Sequence, residues 1–221
     1  MAEQNIFRKK QTVFLPIAAF LVGLLIWGLY FVYQCDREYG LNVSDSIPAV
    51  DLAQTARHLV RGEGLVTGFI RPVSLRFNSS FTRHPELANP PLYIIILAGA
   101  ISIGGARDST VIAASIFFFW ACLPWIWYFS RKYFDNLVAG LAVLLYCSSP
   151  VLLRWSISGC PDNFLAFILL TLFYSLSRCR RSAALWPAAA GALIGCAFLT
   201  RYSCGLWIIP VGGFIWLESP R

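Results

Sequence analysis

The stretch VFLPIAAFLVGLLIWGLYFVY, from Val13 to Tyr33, decides the class of fold because it carries no charged residue from end to end. An α-helix needs about 20 consecutive apolar residues to cross a bilayer. Arg8, Lys9 and Lys10 stand before the stretch, and no small-residue cleavage site follows it. It therefore predicts an uncleaved membrane anchor whose N-terminus lies in the cytoplasm, since basic residues stay on that side.

The rest of the chain has the same apolar character. Of its 221 residues, 57% are hydrophobic and 13% are charged, whereas a soluble domain carries about 25% charged residues. Such a composition cannot cover a water-facing surface, so it predicts an integral membrane protein. The net charge of +7 is explained by Lys and Arg at span ends that contact membrane lipid. We expect no nucleic-acid partner, because no motif for one accompanies the charge.

Six further apolar runs follow the first span: Pro91–Gly105, Ser109–Phe129, Leu137–Leu153, Phe164–Ser177, Ala183–Thr200 and Gly205–Leu217. The pattern predicts an all-α, multi-pass transmembrane helical bundle of about 6–7 membrane segments. Residues 1–221 then form a single transmembrane domain. Its first span is 13–33, an outer loop with a juxtamembrane helix is 35–90, and the remaining membrane segments are 91–217.

Three basic clusters mark the span ends predicted to face the cytoplasm: Arg8 to Lys10, Arg131 with Lys132, and Arg178 with Arg180 and Arg181. The long loop at 35–90 then lies outside, and an odd number of crossings must separate it from Arg131. Because Pro91–Gly105 is short for a span, we expect a re-entrant or interfacial helix there, with Ser109–Phe129 as the single crossing. The alternative lets both runs cross, which places Arg131 outside against the charge rule.

The outer loop is predicted to carry an amphipathic interfacial helix. Apolar residues of AVDLAQTARHLVRGEG (49–64) recur at i, i+3, i+4 and i+7. Pro48 suits the first turn of a helix, and Gly62 suits its end. We expect this helix to lie flat on the membrane with its apolar side down, so that Asp51 and His58 face water.

The charged residues of the loop have the chemistry of a metal-assisted transfer of a phosphate-linked group. Such a transfer needs a carboxylate base, ligands for a hard cation such as Mg²⁺ or Mn²⁺, and cations that hold the phosphate. Candidates for base and metal are Asp45, Asp51, His84 and Glu86, and candidates for the phosphate are Arg57, Arg71, Arg83 and Arg201. The alternative is that these residues are solvated loop charges.

Three prolines shape the segment HPELANPPLY, residues 84–93. Proline fixes φ and keeps the preceding residue extended. The three prolines therefore predict a stiff arm on the outer surface that presents His84 and Glu86. The simpler explanation is that prolines open the following helix, which accounts only for the last two.

Two charged residues at later outward span ends are further candidates. Asp162, in SISGCPDNF (156–164), either approaches the first-loop site or caps the helix that begins at Asn163. Arg201, in FLTRY (198–202), contacts either a phosphate of the substrate or an ordinary lipid headgroup.

Five segments, taken in order, carry a resemblance to a known family: DLAQTARHLVRGEGLVT (51–67), HPELANPPLY (84–93), RKYF (131–134), SSPVLLRWSISGCPD (148–162) and GALIGCAFLTRY (191–202). From about Val13 to Tyr202 the chain resembles the N-terminal part of the GT-C superfamily, the protein mannosyltransferase and aminoarabinose transferase-like membrane glycosyltransferases. The resemblance implies a multi-pass protein of the cytoplasmic (inner) membrane. It also implies sugar transfer from a polyprenyl-phosphate-linked donor on the extracytoplasmic side, with a divalent metal in many members.

The resemblance and the residue chemistry together assign roles to individual side chains. Relatives carry an acid where Pro48 stands here, so the catalytic base is expected at a flanking position. The expected roles are catalytic for Asp51 or Asp45, substrate-binding for His84, Glu86, Arg57, Asp162 and Arg201, and metal-binding (Mg or Mn) for Asp51 and Glu86.

Two classes of function stay open from the sequence. The first is a GT-C-type glycosyltransferase that is truncated or part of a split enzyme, since family members have more spans. The second is a non-catalytic GT-C-like transmembrane subunit that packs against a partner subunit of a larger membrane complex. A transporter or channel is disfavoured, because few charges lie within the spans and no broken helices match between halves.

Overall fold

The computed structural model describes residues 2–35, 47–68, 84–181 and 184–218. The predicted site residues Asp45, Arg71 and Arg83 lie outside these ranges. Within them the chain is almost entirely helical, which confirms the predicted all-α fold class.

Nine α-helices occupy the described residues: α1 (Ala2–Cys35), α2 (Ile47–Val60), α3 (Pro91–Gly104), α4 (Asp108–Tyr133), α5 (Asn136–Ser148), α6 (Pro150–Ser156), α7 (Asp162–Leu176), α8 (Leu185–Phe198) and α9 (Ile208–Glu218). Short 3₁₀ turns at Cys179–Arg181 and Tyr202–Trp207 precede α8 and α9. Between α2 and α3, strands β1 (Val66–Thr67) and β2 (His84–Pro85) form an antiparallel ribbon, with Val66 opposite Pro85.

Two helices of the described chain are long and apolar enough to cross a membrane, Leu15–Cys35 and Asp108–Tyr133. The bent pair α5 and α6 is a third candidate if it counts as one span. Pro91–Gly104, Asp162–Leu176, Leu185–Phe198 and Tyr202–Glu218 are shorter apolar helices. Each predicted apolar run is therefore helical.

The run Leu137–Leu153 is not the single straight segment that its hydropathy predicts. It breaks at Ser149 into α5 and α6, whose axes differ by 64°. Pro150 has no N–H to continue the first helix, and a proline disfavours the helical region for the residue before it. Ser149 accordingly has φ −66° and ψ 118°, an extended conformation.

Side-chain contacts give the relative directions of the helices. The start of α7 meets the first half of α4 where Asn163 donates to Ser115 Oγ. Its end meets the last turns of α4 where Tyr174 packs on Trp125, and Tyr174 also contacts Trp186 at the start of α8. Helices α4 and α7 are therefore parallel, and α8 runs back beside them.

These directions define two ends of the bundle. The basic end contains Arg131 and Lys132 in the last turn of α4, and Arg178 and Arg180 after α7. Helix α1 also begins at this end, because an earlier part of it packs beside α5 and a later part packs against the end of α6. The loop end contains α2, the ribbon, the starts of α4 and α7, and the end of α8. Basic clusters gathered at one end agree with the charge rule, while the side of the membrane that this end faces stays a prediction.

Helix α3 begins and ends at the loop end. The backbone N–H of Leu92 donates to the carbonyl of Leu199, just beyond α8, at 3.0 Å. The hydroxyl of Tyr93 donates to the carbonyl of Gly159, just before α7, at 3.2 Å. A short turn then joins the end of α3 to the start of α4. This course favours the expected re-entrant or interfacial helix. That α3 does not cross the membrane stays a prediction.

Helix α2 packs its apolar face on protein rather than on the membrane, which corrects the expectation from sequence. Ala49, Ala53 and Ala56 are at most 2% exposed and share a core with α3. The cause is the small size of these side chains, which lets two helix backbones approach closely. Gly159 completes the fit, since a Cβ there would lie 2.9 Å from Val111 and 3.5 Å from Ala49.

Candidate functional site

The turn after α2 brings the chain back over that helix. Gly62 and Gly64 have φ of 76° and 86°, a left-handed conformation that glycine adopts without steric cost. Strand β1 follows and pairs with β2, and the next residue, Gly68, lies against α2. A Cβ on Gly68 would stand 2.3 Å from Nε2 of Gln54, so a larger residue there would require the Gln54 side chain to move.

His84 is covered by this ribbon, which corrects the expectation that the proline segment presents it outward. It pairs with Thr67, and both residues are 1% exposed. Neither ring nitrogen of His84 has a hydrogen-bond partner among the described residues. The ribbon joins residues far apart in sequence, so local proline geometry could not reveal the burial.

Glu86 shapes the turn between the ribbon and α3. Its Oε1 accepts hydrogen bonds from the backbone N–H groups of Ala88 and Asn89, at 2.9 and 3.0 Å. Pro91 then takes the first position of α3, where its missing N–H costs nothing. The prolines therefore do open the helix, and the half-buried Glu86 carboxylate is held in a fixed orientation beside it.

Arg57 forms an ion pair that was not anticipated. Its Nη2 lies 2.7 Å from Oδ1 of Asp108 at the start of α4, and both side chains are about a third exposed. The pair links α2 to the first turn of the long apolar helix. The sequence signal for Asp108 is its place directly before an apolar run, where an acid complements the helix dipole.

Asp162 and Arg201, both predicted as site residues, are brought together. Nη2 of Arg201 lies 3.1 Å from Oδ1 of Asp162, with the arginine side chain 53% exposed and the aspartate 19%. Asp162 also stands in the first turn of α7, as the capping alternative requires. Arg57 and Arg201 thus pair with different acids, and Arg201 remains open to a ligand on its exposed side.

Tyr93 connects this pair to α3. Its hydroxyl bonds to Gly159, and its ring stacks on Phe164 at a centroid distance of 5.8 Å. Burial raises the pKa of the Tyr93 phenol, and the nearby Cys160 and Asp162 raise it further. The phenol therefore stays protonated and serves as a hydrogen-bond donor that holds the start of α3 beside the ion pair.

Asn163 is a buried polar residue whose importance the sequence did not indicate. Its Nδ2 donates to the carbonyl of Trp155 at 3.1 Å and to Oγ of Ser115 at 3.3 Å. Ser115 Oγ itself donates to the Trp155 carbonyl at 3.0 Å. This network ties the bent α6 to α4 and α7, and so fixes the position of Asp162 next to it.

Asp51 lies half-buried on α2. Within residues 2–35, 47–68, 84–181 and 184–218, no group of three or more His, Cys, Asp or Glu side chains is placed to hold a metal ion. The predicted metal roles of Asp51 and Glu86 stay predictions, as does the catalytic role of Asp45, which lies outside these ranges.

The fold and these contacts define an all-α membrane protein with its candidate charged site at one end of the bundle. Residues 88–220 match the family model described as dolichyl-phosphate-mannose-protein mannosyltransferase. Because the match covers more than half of the chain, the chain belongs to this family of membrane glycosyltransferases. No curated protein and no solved structure matches the chain.

The family match covers only part of the candidate site. It includes Asp162 and Arg201, and it begins after Asp51, Arg57 and Glu86. The predicted resemblance to membrane glycosyltransferases is confirmed over the later helices. The roles assigned to residues before 88 rest on their chemistry and on the structure.

Proposed function

We propose that the protein transfers a sugar from a polyprenyl-phosphate-linked donor to an acceptor hydroxyl, at the loop end and on the extracytoplasmic side of the cytoplasmic membrane. The supporting observation is the exposed guanidinium of Arg201, oriented by Asp162 within the part of the chain that matches the family. An arginine held at a membrane surface binds phosphate through charge-assisted hydrogen bonds. The class of donor follows from the family, which is that of the dolichyl-phosphate-mannose-protein mannosyltransferases.

In the proposed reaction, the acceptor oxygen forms a bond to the anomeric carbon of the donor sugar as the bond from that carbon to the phosphate oxygen breaks. The electron pair leaves with the phosphate, whose charge Arg201 offsets. The acceptor proton passes to a carboxylate, with Asp51 or Asp45 as the base. Arg57 and His84 are proposed contacts to the donor.

The oxygen ligands that Asp51 and Glu86 offer are of the kind that a divalent ion prefers. Asp51 and Glu86 offer carboxylate oxygens, and Mg²⁺ is commonly held by one or two carboxylates together with a substrate phosphate and water. Two backbone amides already orient the Glu86 carboxylate. Asp51 and Glu86 would hold the ion, which would offset charge on the donor phosphate.

The test is sugar transfer by the purified full chain in liposomes, from a labelled polyprenyl-phosphate sugar. Asp51→Asn or Asp45→Asn should lower kcat about 100-fold or more, as loss of a general base does. Arg201→Gln should lower kcat/KM about tenfold or more. Arg154→Gln, which alters another exposed arginine on α6, is the matched control. Full activity in both aspartate variants would refute the assigned base, and full activity in Arg201→Gln would remove the main support for the proposal.

A non-catalytic transmembrane subunit is the second candidate. It is favoured by Pro48, which lies exposed in the first turn of α2 where the resemblance leads us to expect an acid. This candidate predicts copurification in fixed stoichiometry with another membrane protein, and no binding of polyprenyl phosphate. Binding of polyprenyl phosphate by the isolated chain would contradict it.

A further inference from the structure

Four side chains at the loop end keep buried polar atoms that have no hydrogen-bond partner among the described residues: Gln54 Oε1, Arg57 Nε, both ring nitrogens of His84, and Asn89 Nδ2. Buried polar groups in native proteins are nearly always paired, and each unpaired one costs about 1–3 kcal/mol. Several on adjoining elements indicate a binding site whose ligand completes the hydrogen bonds.

These atoms lie in one region of the fold. Gln54 and Arg57 are one turn apart on the same side of α2. Gly68, directly after β1, approaches the Gln54 amide, and His84 stands in the partner strand. Asn89 follows in the turn from the ribbon to α3. Gln54 and His84 therefore lie at the interface between α2 and the ribbon, with Arg57 one helical turn further along α2 and Asn89 four residues after β2.

The mixture of donors and acceptors selects the kind of ligand. Arg57 Nε and Asn89 Nδ2 donate, Gln54 Oε1 accepts, and a histidine ring in its uncharged form donates at one nitrogen and accepts at the other. A phosphate offers only acceptors at its anionic oxygens, so it would leave two of these protein acceptors unpaired. Hydroxyl groups both donate and accept, so adjacent hydroxyls on one ring match the set.

We propose that these four side chains form a binding site for the hydroxyl groups of the donor's sugar, and so discriminate the glycosylated donor from the bare lipid phosphate. The inference rests on the function proposed above and adds the site that recognises the hydroxyl groups of the sugar. Arg57 takes part through Nε, because its Nη2 is engaged by Asp108.

The site is closed in this structure, because all of these atoms are buried. Sugar binding therefore requires the ribbon to move away from α2. Among the described residues the ribbon pairs two residues in each strand, with one more backbone bond from the Glu86 N–H to the Leu65 carbonyl. The atoms beneath it lose no hydrogen bond to described residues when it moves. Hydration or a sugar would satisfy them, so unpaired polar groups favour the opening that binding needs.

The test compares two probes on the full chain in lipid nanodiscs. One is a short-chain isoprenyl phosphate, and the other is the same compound carrying mannose, glucose or galactose on its phosphate. Wild type should bind at least one glycosylated probe more tightly. Gln54→Met and Asn89→Leu should each reduce that preference about tenfold, the factor set by one hydrogen bond of about 1.4 kcal/mol. Neither should change the affinity for the bare phosphate.

Thermal unfolding of the ligand-free variants separates a binding role from a structural one. Replacing an unpaired buried polar group by an apolar one of similar shape should leave Tm unchanged or raise it. Asn136→Leu is the matched control, since Asn136 Oδ1 is also buried and unpaired within the described chain but lies at the start of α5, at the basic end. It should leave the preference for the sugar intact.

Three results would overturn the inference, and they differ in what else they imply. If the bare phosphate binds and no sugar improves the affinity, the sugar site is wrong while the proposed function stands. If the variants lower Tm and weaken both probes equally, Gln54 and Asn89 are structural. If neither probe binds to wild type, the sugar site and the proposed function fail together.

Discussion

Replacing Asn163 should destabilise the protein by an amount that depends strongly on the substitute. The side chain is 2% exposed, and its Nδ2 donates to the Trp155 carbonyl and to Ser115. Asn163→Leu keeps the volume and removes these bonds, while the Trp155 carbonyl retains the Ser115 hydroxyl as a donor. The expected loss is about 1 kcal/mol, since hydrogen bonds between membrane helices average about 0.6 kcal/mol with a maximum near 1.7.

Asn163→Asp should cost more, about 3 kcal/mol at neutral pH, because it places a buried carboxylate against the same oxygens without a compensating donor. Burial would raise the pKa of the new carboxyl in the folded state above its value in the unfolded state. The loss of stability is therefore present above the unfolded-state pKa. It shrinks as pH falls, because the protonated carboxyl becomes a hydrogen-bond donor. Reversible unfolding in mixed micelles, followed by tryptophan fluorescence at two pH values, measures both effects. Ser148→Ala, which alters an exposed hydroxyl on α5, is the control. Equal stability of the Asp and Leu variants would refute the proposed network.

Two further substitutions test contacts at the loop end. Gly159→Ala should lower the free energy of unfolding by about 2–4 kcal/mol, because φ is +74° and the new Cβ would stand 2.9 Å from Val111; an unchanged melting temperature would contradict this geometry. A double-mutant cycle of Arg57→Gln and Asp108→Asn should give a coupling of about 0.5–1 kcal/mol that falls with added salt, as expected for a pair about a third exposed. No coupling at low salt would show that the pair does not form.

The helices were predictable where the controlling physics is local. Leu15–Cys35 follows from uninterrupted hydropathy, and the helix at Ile47–Val60 follows from its apolar spacing. The break at Ser149 was predictable only in part, because Pro150 disfavours a regular helix inside its apolar run, whereas Pro16 and Pro124 lie inside helices that continue past them. A hydropathy criterion missed it because it weighs side-chain polarity and not backbone hydrogen bonding.

The contacts of α2 and His84 were not predictable from local pattern. The spacing that suits a helix on a membrane surface also suits a helix packed on another helix. Alanine at positions 49, 53 and 56 was the signal that favoured packing, since lipid does not require small side chains. For His84 no local signal exists, because the pairing with Thr67 joins residues that lie far apart in the sequence.

The pairing of Asp162 with Arg201 shows what the resemblance added. Each residue alone has an ordinary explanation, a helix cap or a lipid contact. The ordered motifs placed both in one site, and the structure places them in contact. Their separation in sequence arises because α7 leaves the loop end and α8 returns to it, which no charge pattern specifies. Fold class and span ends thus follow from composition, whereas the partner of each charged residue follows from topology.

Helix α3 explains how the two parts of the candidate site keep a fixed relation. The first residues of α3 form hydrogen bonds with Leu199 and Gly159, which lie close in sequence to Arg201 and Asp162. The side of α3 packs against α2, the helix that contains Asp51. Through these contacts α3 joins the segment before residue 88 to the family-matched helices after it. The position of Asp51 relative to Arg201 is therefore set by packing on α3, and a change in that packing should alter transfer without altering either charged residue.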